Sequence, residues 1–406
     1  MITGVGVVAP NAIGRSAFWD ALKEGRSGIK KITLFDTSSL ASHYGGQVPE
    51  FDPSEFLPKK RAPELGRSAV LSLYASLLAL DDSGFDHGPA RGSQRKGVAV
   101  GIVFPATDLF FHLLQKPKGY AEDWHSTYSG VSSNVSVMEI IEATGFGDSA
   151  ITINTACTSG LNAIGHAFRE IQKGAADIYL AGGTDATLNA MIFAGLISSG
   201  LQTTDSLPPE KLSRPFDKRR STGIVSEGAC ILVVEDAEQA LKRGAPIYAE
   251  IRGYGSVGKT FAPDYAQAVR KGMATAMQLA LNEAEALPED VDFISAHAPS
   301  HRLLDAAETL AIKDVFGRHA YTIPVSSIKS MVGNPMASSG PMQIAGSLLA
   351  INQSIISPTV NLDNPDDDCD LDYVPNLYRL NKVDRSLINS HGVDGSDASI
   401  LIARYE

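Results

Sequence analysis

The sequence predicts an α/β fold, because two kinds of apolar pattern alternate along the chain. Short runs rich in β-branched residues, typical of strands, alternate with longer segments whose apolar residues repeat at helical spacing. The predicted strands are 2–8, 97–103, 150–154, 178–181, 229–234, 247–255, 291–295, 323–326 and 398–403, and the predicted helices are 17–24, 68–82, 159–173, 236–243, 265–285, 304–316 and 342–351. Such alternation favours helices packed on sheets over an all-α or all-β architecture.

Composition indicates an ordinary globular protein. Of 406 residues, 44% are hydrophobic and 20% charged, and the formal net charge of -11 disfavours binding to nucleic acid or to an anionic membrane. No run comes near the roughly 18 consecutive apolar residues of a membrane helix, and the strand-like start lacks a basic segment, so we expect neither a membrane span nor a signal peptide. Three scattered cysteines predict no disulfide framework or zinc site and suit a reducing, cytoplasmic setting.

Two strand–turn–helix units resemble each other. The strand at 151–154 leads through a turn of small residues into a helix with one apolar face. The strand at 323–326 does the same, through a turn that contains Lys329 and Asn334. The likeness predicts an internal duplication, although strand–turn–helix units recur throughout α/β proteins.

We therefore divide the chain into an N-terminal half, 1–244, and a C-terminal half, 245–406. Within the first half, the segment 104–137 is less regular and carries many aromatic residues. It is either a long surface loop or an insertion that covers another surface, such as a subunit contact.

Cys157 is the candidate nucleophile. It follows a predicted strand and opens a predicted helix. Backbone N–H groups and the positive end of a helix stabilise a thiolate, so we expect its pKa to be lowered from about 8.5. A single cysteine is more often an inert core residue, and we keep that interpretation for Cys230 and Cys369.

His297 is the candidate partner of the thiol. It ends a predicted strand, where α/β folds place their ligand-binding loops. A lone histidine there is more often a structural hydrogen-bonder. Its catalytic interpretation depends on Cys157 and on Lys329 and Asn334, which lie on another strand-to-helix turn.

Six motifs, in order and spread over essentially the whole chain, resemble the β-ketoacyl-acyl-carrier-protein synthases, above all the type II branch. They are Asn-Thr-Ala-Cys-Thr-Ser-Gly at 154–160, Ala-Asp-Ile-Tyr-Leu-Ala-Gly-Gly-Thr-Asp at 176–185, Arg-Pro-Phe-Asp-Lys at 214–218, Ser-Glu-Gly-Ala at 226–229, Ser-Ser-Ile-Lys-Ser-Met-Val-Gly at 326–333 and Asn-Leu-Asp-Asn-Pro-Asp at 361–366. The resemblance implies a thiolase fold, five-layered α-β-α-β-α and made of two similar halves, and an obligate dimer.

The resemblance also implies an acyltransferase that needs no cofactor or metal. Cys157 would accept an acyl chain from the phosphopantetheine arm of an acyl carrier protein. A malonyl-carrier would then lose carbon dioxide and attack that thioester, in specialised fatty-acid or polyketide-type biosynthesis. The implied roles are catalysis for Cys157, His297, Lys329 and Asn334, oxyanion-binding amides for Cys157 and Val393, and acidic support for Asp305 and Glu308.

The sequence departs from the family at the catalytic centre. Asn334 stands where the family has a second histidine; an amide donates a hydrogen bond to an enolate oxygen but cannot carry a proton. Related initiating synthases and plant-type polyketide synthases use such a Cys-His-Asn set. Gln343 stands where a glutamate usually partners the lysine.

The acyl pocket departs as well. Two threonines that normally contact pantetheine are absent around Pro299 and His301, and His391 lies in the altered C-terminal loop. Val393 replaces a gatekeeping phenylalanine, and Gly223 stands where another pocket phenylalanine is common. We expect these five residues to line a reshaped, enlarged pocket for an unusual substrate.

Two partners are expected: an acyl carrier protein, and a second ketosynthase-like subunit in a homodimer or heterodimer. Lys59, Lys60, Arg61 and Arg67 form the densest basic cluster of this acidic chain, so we favour carrier docking there over a merely solvated face. The loose dinucleotide fingerprint at 4–9 lacks a helix start and is set aside.

Two alternatives to the condensing enzyme stay open. One is an acyltransferase or non-decarboxylating enzyme that uses the Cys157 thioester, motivated by Asn334, Pro299 and His301. The other is a non-catalytic partner subunit of a ketosynthase, against which the intact Cys157 argues.

Overall fold

The structure is a computed structural model that describes residues 1–86, 94–114, 130–258 and 264–406. Its fold is α/β, as the sequence predicts. Tyr120, Trp124 and Tyr128 of the predicted insertion lie outside the described residues. The strands are β1 Ile2–Ala9, β2 Ala12–Ile13, β3 Ile29–Lys31, β4 Tyr44–Gly46, β5 Lys96–Gly101, β6 Ser149–Ile153, β7 Ile178–Asp185, β8 Gly228–Glu235, β9 Glu250–Gly258, β10 Phe293–Ser295, β11 Val325–Ser326, β12 Ile355–Ile356, β13 Arg379–Leu380, β14 Arg385–His391 and β15 Ser396–Ala403.

The described helices surround two large sheets. They are α1 Arg15–Lys23, α2 Arg67–Ser83, α3 Thr107–Leu114, α4 Val135–Thr144, α5 Ser159–Gln172, α6 Ala190–Ser198, α7 Ala237–Arg243, α8 Tyr265–Glu283, α9 Arg302–Phe316, α10 Lys329–Val332 and α11 Ser339–Gln353. Among the described residues, no helix is both long and apolar enough to cross a membrane.

The two large sheets repeat one design. The first has the order β2-β1-β8-β7-β5-β6 and the second β11-β10-β14-β15-β9. In each, a parallel trio (β6, β5 and β7; β11, β10 and β14) continues into antiparallel strands (β8 and β1; β15 and β9). The two similar halves are thus visible in the topology, and the exact boundary near residue 245 stays a prediction.

Helices α5 and α11 lie between the sheets. Their apolar side chains form one core with residues of both sheets, while α2 and α4 cover the outer face of the first sheet and α8 and α9 cover that of the second. Every residue of α11 from Ser339 to Ile351 is buried, as expected of a helix packed on all sides. This arrangement brings the turns that precede α5 and α11 together in the middle of the molecule.

Candidate active site

Cys157 lies on the turn between β6 and α5. The turn is closed by hydrogen bonds from Thr158 Oγ1 to Thr155 O (2.6 Å) and from Ser159 N to Ala156 O (3.0 Å). Ala156 has a φ of 48°, in the left-handed region that alanine seldom adopts. Cys157 is buried, 3% exposed, two residues before the first residue of α5.

Glycines allow the two halves to touch at this turn. A Cβ on Gly160 would lie 2.2 Å from Ala337 O, and a Cβ on Gly183 would lie 2.3 Å from the same oxygen. Backbone this close leaves no room for a side chain. The small residues near Cys157 therefore allow one half to pack closely on the other.

The second half brings Lys329 and Asn334 to the same place. Lys329 is the first residue of α10 and is 1% exposed. Asn334 follows Gly333, whose φ is 72°, and its backbone N–H donates to Ile224 O at 2.7 Å. The Asn334 side chain hydrogen-bonds the Cys157 thiol. Its Oδ1 is buried and has no hydrogen-bond partner among the described residues, so the amide retains a free acceptor.

His297 follows β10 and is buried beside the lysine. Lys329 Nζ donates to His297 O at 2.5 Å and lies 3.4 Å from His297 Nδ1. The Glu308 carboxylate accepts hydrogen bonds from His297 N (2.9 Å) and Ala298 N (2.8 Å), which fixes the chain after β10. The four residues predicted to be catalytic, and the predicted acidic support Glu308, therefore meet in one buried site.

Asp305 holds the chain segments that surround the site. Its carboxylate accepts hydrogen bonds from Phe216 N (3.0 Å) and His301 N (3.1 Å) and pairs with Arg220 at 3.3 Å. Burial raises the pKa of Asp305 to about 7, and the Arg220 charge opposes that rise. These contacts anchor the chain beyond His297, so we keep Asp305 as a proposed supporting residue.

The surroundings of the Cys157 thiol favour its protonated form. Burial raises the pKa of Cys157 to about 11, while the Lys329 charge and the Asn334 hydrogen bond lower it. The expectation of a lowered thiol pKa is therefore wrong here, because removing a thiolate from water costs more than these groups return. Acyl loading must include removal of the thiol proton.

Burial also shifts the pKa values of the two basic side chains of the site, His297 and Lys329. Burial, together with the Lys329 charge, lowers the pKa of His297 well below its usual range, so the imidazole is neutral at neutral pH. Burial lowers the pKa of Lys329 to about 8, against the charges of Cys157, Glu308 and Asp305. The site thus pairs a neutral imidazole with a lysine that titrates close to neutral pH.

The hairpin of β14 and β15 closes over the nucleophile turn. Ser390 Oγ donates to Cys157 O at 3.0 Å, and Ser396 Oγ donates to Thr155 O at 2.9 Å. Strand β14, which the sequence does not predict, therefore helps to position the nucleophile.

His391, a predicted pocket residue, is 1% exposed at the end of β14. Its Nδ1 lies 2.8 Å from Asp397 Oδ1, its Nε2 lies 3.0 Å from Tyr265 Oη, and its ring centroid is 6.0 Å from that of His297. Asp397 and Tyr265 lie outside the motifs of the family resemblance, so the sequence does not single them out. The structure thus adds a hydrogen-bonded Asp–His–Tyr set to the site.

The register of the hairpin formed by β14 and β15 shows which backbone N–H groups are not hydrogen-bonded between these two strands. Gly392 N donates to Ser396 O at 2.7 Å, so the next pair, His391 and Asp397, is a non-hydrogen-bonded pair. The His391 N–H therefore points away from β15. It is a second backbone donor near the nucleophile turn, beside the one predicted at Val393.

Two predicted pocket residues lie in different surroundings. Val393 is 37% exposed on the hairpin turn, and its role as a gate stays a prediction. A Cβ on Gly223 would lie 2.6 Å from Pro299 O, so the backbone at Pro299 fills the space that a larger side chain would occupy. The enlargement predicted at Gly223 is therefore wrong. His301 is half-buried at the start of α9 and stays a predicted pocket residue.

The basic cluster before α2 divides into two pairs. Lys59 and Lys60 are exposed. Arg61 forms ion pairs with two glutamates, and Arg67 forms two hydrogen bonds of 2.7 Å with the buried carboxylate of Glu227. Arg61 and Arg67 are thus engaged within the chain, and we limit the docking prediction to Lys59 and Lys60.

Comparisons with known proteins agree with the motifs. Residues 1–240 match the beta-ketoacyl synthase N-terminal domain and residues 248–363 the beta-ketoacyl synthase C-terminal domain. A 3-oxoacyl-[acyl-carrier-protein] synthase 2 from Coxiella burnetii is 37% identical over 100% of this chain and 98% of its own length. A putative polyketide beta-ketoacyl synthase 1 from Streptomyces cyaneus is 35% identical over 99% of this chain and 97% of its own.

Solved structures show the same likeness. The ishigamide ketosynthase/chain length factor superposes with a TM-score of 0.89 at 30% identity, covering 100% of this chain and 98% of its own. A type II PKS ketosynthase solved with its acyl-carrier protein superposes with a TM-score of 0.87 at 30% identity, with the same coverage. These neighbours confirm the predicted thiolase fold.

Proposed function

The chain belongs to the β-ketoacyl synthase family, and we propose that it forms carbon–carbon bonds by decarboxylative Claisen condensation of an acyl thioester on Cys157 with a malonyl-acyl-carrier-protein. The observation that carries this proposal is the meeting of the Cys157 thiol with His297, Lys329 and Asn334 in one buried site. Relatives named for fatty-acid and for polyketide synthesis support a role in one of these two kinds of pathway.

In the first half-reaction, Cys157 takes the acyl group. The sulfur of Cys157 attacks the carbonyl carbon of the carrier thioester, and the phosphopantetheine thiolate leaves with the electron pair of the broken C–S bond. The proton that the Cys157 thiol gives up is taken up by this leaving thiolate. Charge develops on the carbonyl oxygen, where backbone N–H groups of Cys157 and Val393 are the proposed donors, with the His391 N–H as a further donor. The Asn334 hydrogen bond to the sulfur stabilises the thiolate.

In the second half-reaction, the malonyl group loses carbon dioxide. The electron pair of the broken bond develops on the thioester oxygen as an enolate, which needs hydrogen-bond donors. Because Lys329 contacts His297 Nδ1, the Nε2–H of the neutral imidazole is left for that oxygen, and Asn334 supplies a second donor. The enolate carbon then attacks the acyl carbon, and the Cys157 thiolate leaves.

The proposed partners are an acyl carrier protein and a second ketosynthase-like subunit, identical or not. The exposed Lys59 and Lys60 offer the positive charge that an acidic carrier needs. Strand β6 ends the first sheet, and four of its five residues are half-buried in the single chain, so its free edge is suited to a subunit contact. Three free cysteines support the proposed cytoplasmic location.

The relatives favour the condensing enzyme over both alternatives, the acyltransferase and the non-catalytic subunit, because they are named as ketoacyl synthases. Cys157, which a non-catalytic subunit does not require, is positioned by both halves.

The decisive experiment is intact-protein mass spectrometry after incubation with a panel of acyl-carrier thioesters. Cys157→Ala should abolish acylation and leave the circular dichroism spectrum unchanged. Cys230→Ala is the matched control, since Cys230 is buried in β8 and burial raises its thiol pKa strongly. Acylation that persists in Cys157→Ala, or that disappears in Cys230→Ala with the fold intact, would contradict the proposal.

A further inference from the structure

Lys329 is a buried ammonium group without an ion-pair partner in the described part of the chain. Its Nζ contacts His297 O (2.5 Å), Gln343 Oε1 (3.2 Å) and His297 Nδ1 (3.4 Å). Glu308, the nearest candidate for a counter-ion on α9, instead accepts hydrogen bonds from His297 N, Ala298 N and Asn389 Nδ2. The direct contacts of the lysine are therefore all with neutral groups.

Gln343 is buried on α11 and uses both ends of its amide. Its Nε2 donates to three backbone carbonyls, Ser295 O (3.0 Å), Ala296 O (2.9 Å) and Asn389 O (3.1 Å). Its Oε1 accepts from Lys329. A glutamate, which the family usually has at this position, cannot donate to those carbonyls when ionised. The surroundings of residue 343 thus use both ends of an amide, which donates to the carbonyls and accepts from the lysine at the same time.

Charged and titratable groups face Lys329 from several elements. They are the thiol of Cys157 before α5, His297 after β10, and Asp305 and Glu308 on α9. His391, at the end of β14, acts on His297. Burial lowers the pKa of Lys329 to about 8, against the charges of Cys157, Glu308 and Asp305. A carboxylate at residue 343 would add a negative charge in direct contact and so favour the ammonium form.

We propose that Gln343 is a positioning residue for the condensation described above: its amide holds Lys329 against His297 without a negative charge, which lets Lys329 release and regain a proton during each turnover. The proposal rests on the proposed function. It links two departures from the family, because Asn334 cannot carry a proton and Gln343 leaves the lysine able to do so.

The proton path balances over the two chemical steps. As carbon dioxide leaves, His297 Nε2 gives its proton to the enolate oxygen, and Lys329 gives a proton to His297 Nδ1, leaving an enol and a neutral amine. As the enol carbon attacks the acyl carbon, the enol proton returns to Nε2 and the Nδ1 proton returns to Lys329. Cys157 leaves as a thiolate with the electron pair of the broken C–S bond.

The test is the pH profile of malonyl-carrier decarboxylation by the full-length protein. In the wild type the rate should fall as pH rises through about 8, since the step starts from protonated Lys329. In Gln343→Glu the added negative charge raises the pKa of Lys329, so the falling limb should move to higher pH by about one unit or more. Gln353→Glu, the same change at an exposed position of the same helix, should leave the profile unchanged.

Lys329→Arg is the second variant and covers the case in which Gln343→Glu does not fold. Because arginine keeps its charge, the limb should be absent and the rate should drop roughly 10²-fold. An unmoved limb in folded Gln343→Glu, or a retained limb in Lys329→Arg, overturns the inference. If the wild type neither decarboxylates malonyl-carrier nor becomes acylated on Cys157, the proposed function itself fails, which is a different result.

Discussion

The turn that carries Cys157 and its counterpart in the second half share a backbone and differ in chemistry. Ala156 and Met336 have φ values of 48° and 47°, and helices α5 and α11 begin three residues after them, at positions 159 and 339. The residue equivalent to Cys157 in the second turn is Ala337. The duplication predicted from the sequence thus extends to an uncommon backbone conformation, and one of the two copies carries a nucleophile.

Each turn is covered by a strand end from the other half. At the second turn, Asp185 at the end of β7 accepts a hydrogen bond from Ala337 N at 2.9 Å. At the first turn, Ser390 near the end of β14 contacts the carbonyl oxygen of Cys157. The backbone N–H of Ala337 is therefore already hydrogen-bonded to a side-chain oxygen of Asp185. The equivalent amide of Cys157 is the one proposed to bind the thioester oxygen, so the molecule contains its own example of an acceptor oxygen bound at this turn.

Removing the carboxylate that occupies the second turn should give the largest effect. Asp185 also accepts hydrogen bonds from Val103 N (3.1 Å) and Phe104 N (2.9 Å), so Asp185→Ala leaves three amides without their acceptor. We expect the free energy of unfolding to fall by about 4 kcal/mol, measured by urea denaturation. Asp185→Asn keeps one acceptor oxygen and should lose about half as much. Equal stability of the alanine variant and the wild type would refute the comparison of the two turns.

A substitution at Asn334 tests whether the turn that carries Cys157 and the turn that carries Lys329 and Asn334 serve different half-reactions. Asn334→Ala removes a proposed donor to the enolate, so malonyl decarboxylation should slow by about 10²–10³. Acyl loading should slow less, because it loses only the hydrogen bond to the sulfur. The two rates are measured separately, by carbon dioxide release and by acylation of Cys157. Equal losses in both half-reactions would contradict the assigned role.

Much of this architecture is predictable from sequence. All nine predicted strands and seven predicted helices overlap observed elements, since apolar periodicity is strong where a face is buried. Strand β14 is missed because Ser386, Asn389, Ser390 and His391 are polar, yet the structure buries all of them. Asn389 and Ser390 are paired with Glu308 and Cys157, from distant parts of the chain, and a local pattern does not show such contacts.

In the site, too, features set by the local sequence are predictable, and features set by distant contacts are not. The motifs contain Cys157 and Lys329, and the end of a predicted strand singles out His297, because turn chemistry is local. They do not show that burial raises the thiol pKa, since that depends on the whole surrounding fold. They mislead at Gly223, where an absent side chain suggests a cavity that the backbone at Pro299 fills from 76 positions away (299 minus 223).

The smallest expected effect concerns the hairpin that covers the first turn. The sequence predicts that Val393, in place of a gatekeeping phenylalanine, helps to enlarge the acyl pocket, but Val393 is 37% exposed. We therefore expect rates of Cys157 acylation with short and long acyl-carriers to change by less than about threefold, as is usual for an exposed position.

His391→Phe is the comparison variant at a buried position of the same hairpin. It removes the contacts with Asp397 and Tyr265, and it should change loading more than Val393→Phe does. If only Val393→Phe strongly slows Cys157 acylation with long acyl-carriers, then Val393 gates the site. His391 would in that case not control which acyl chains are loaded.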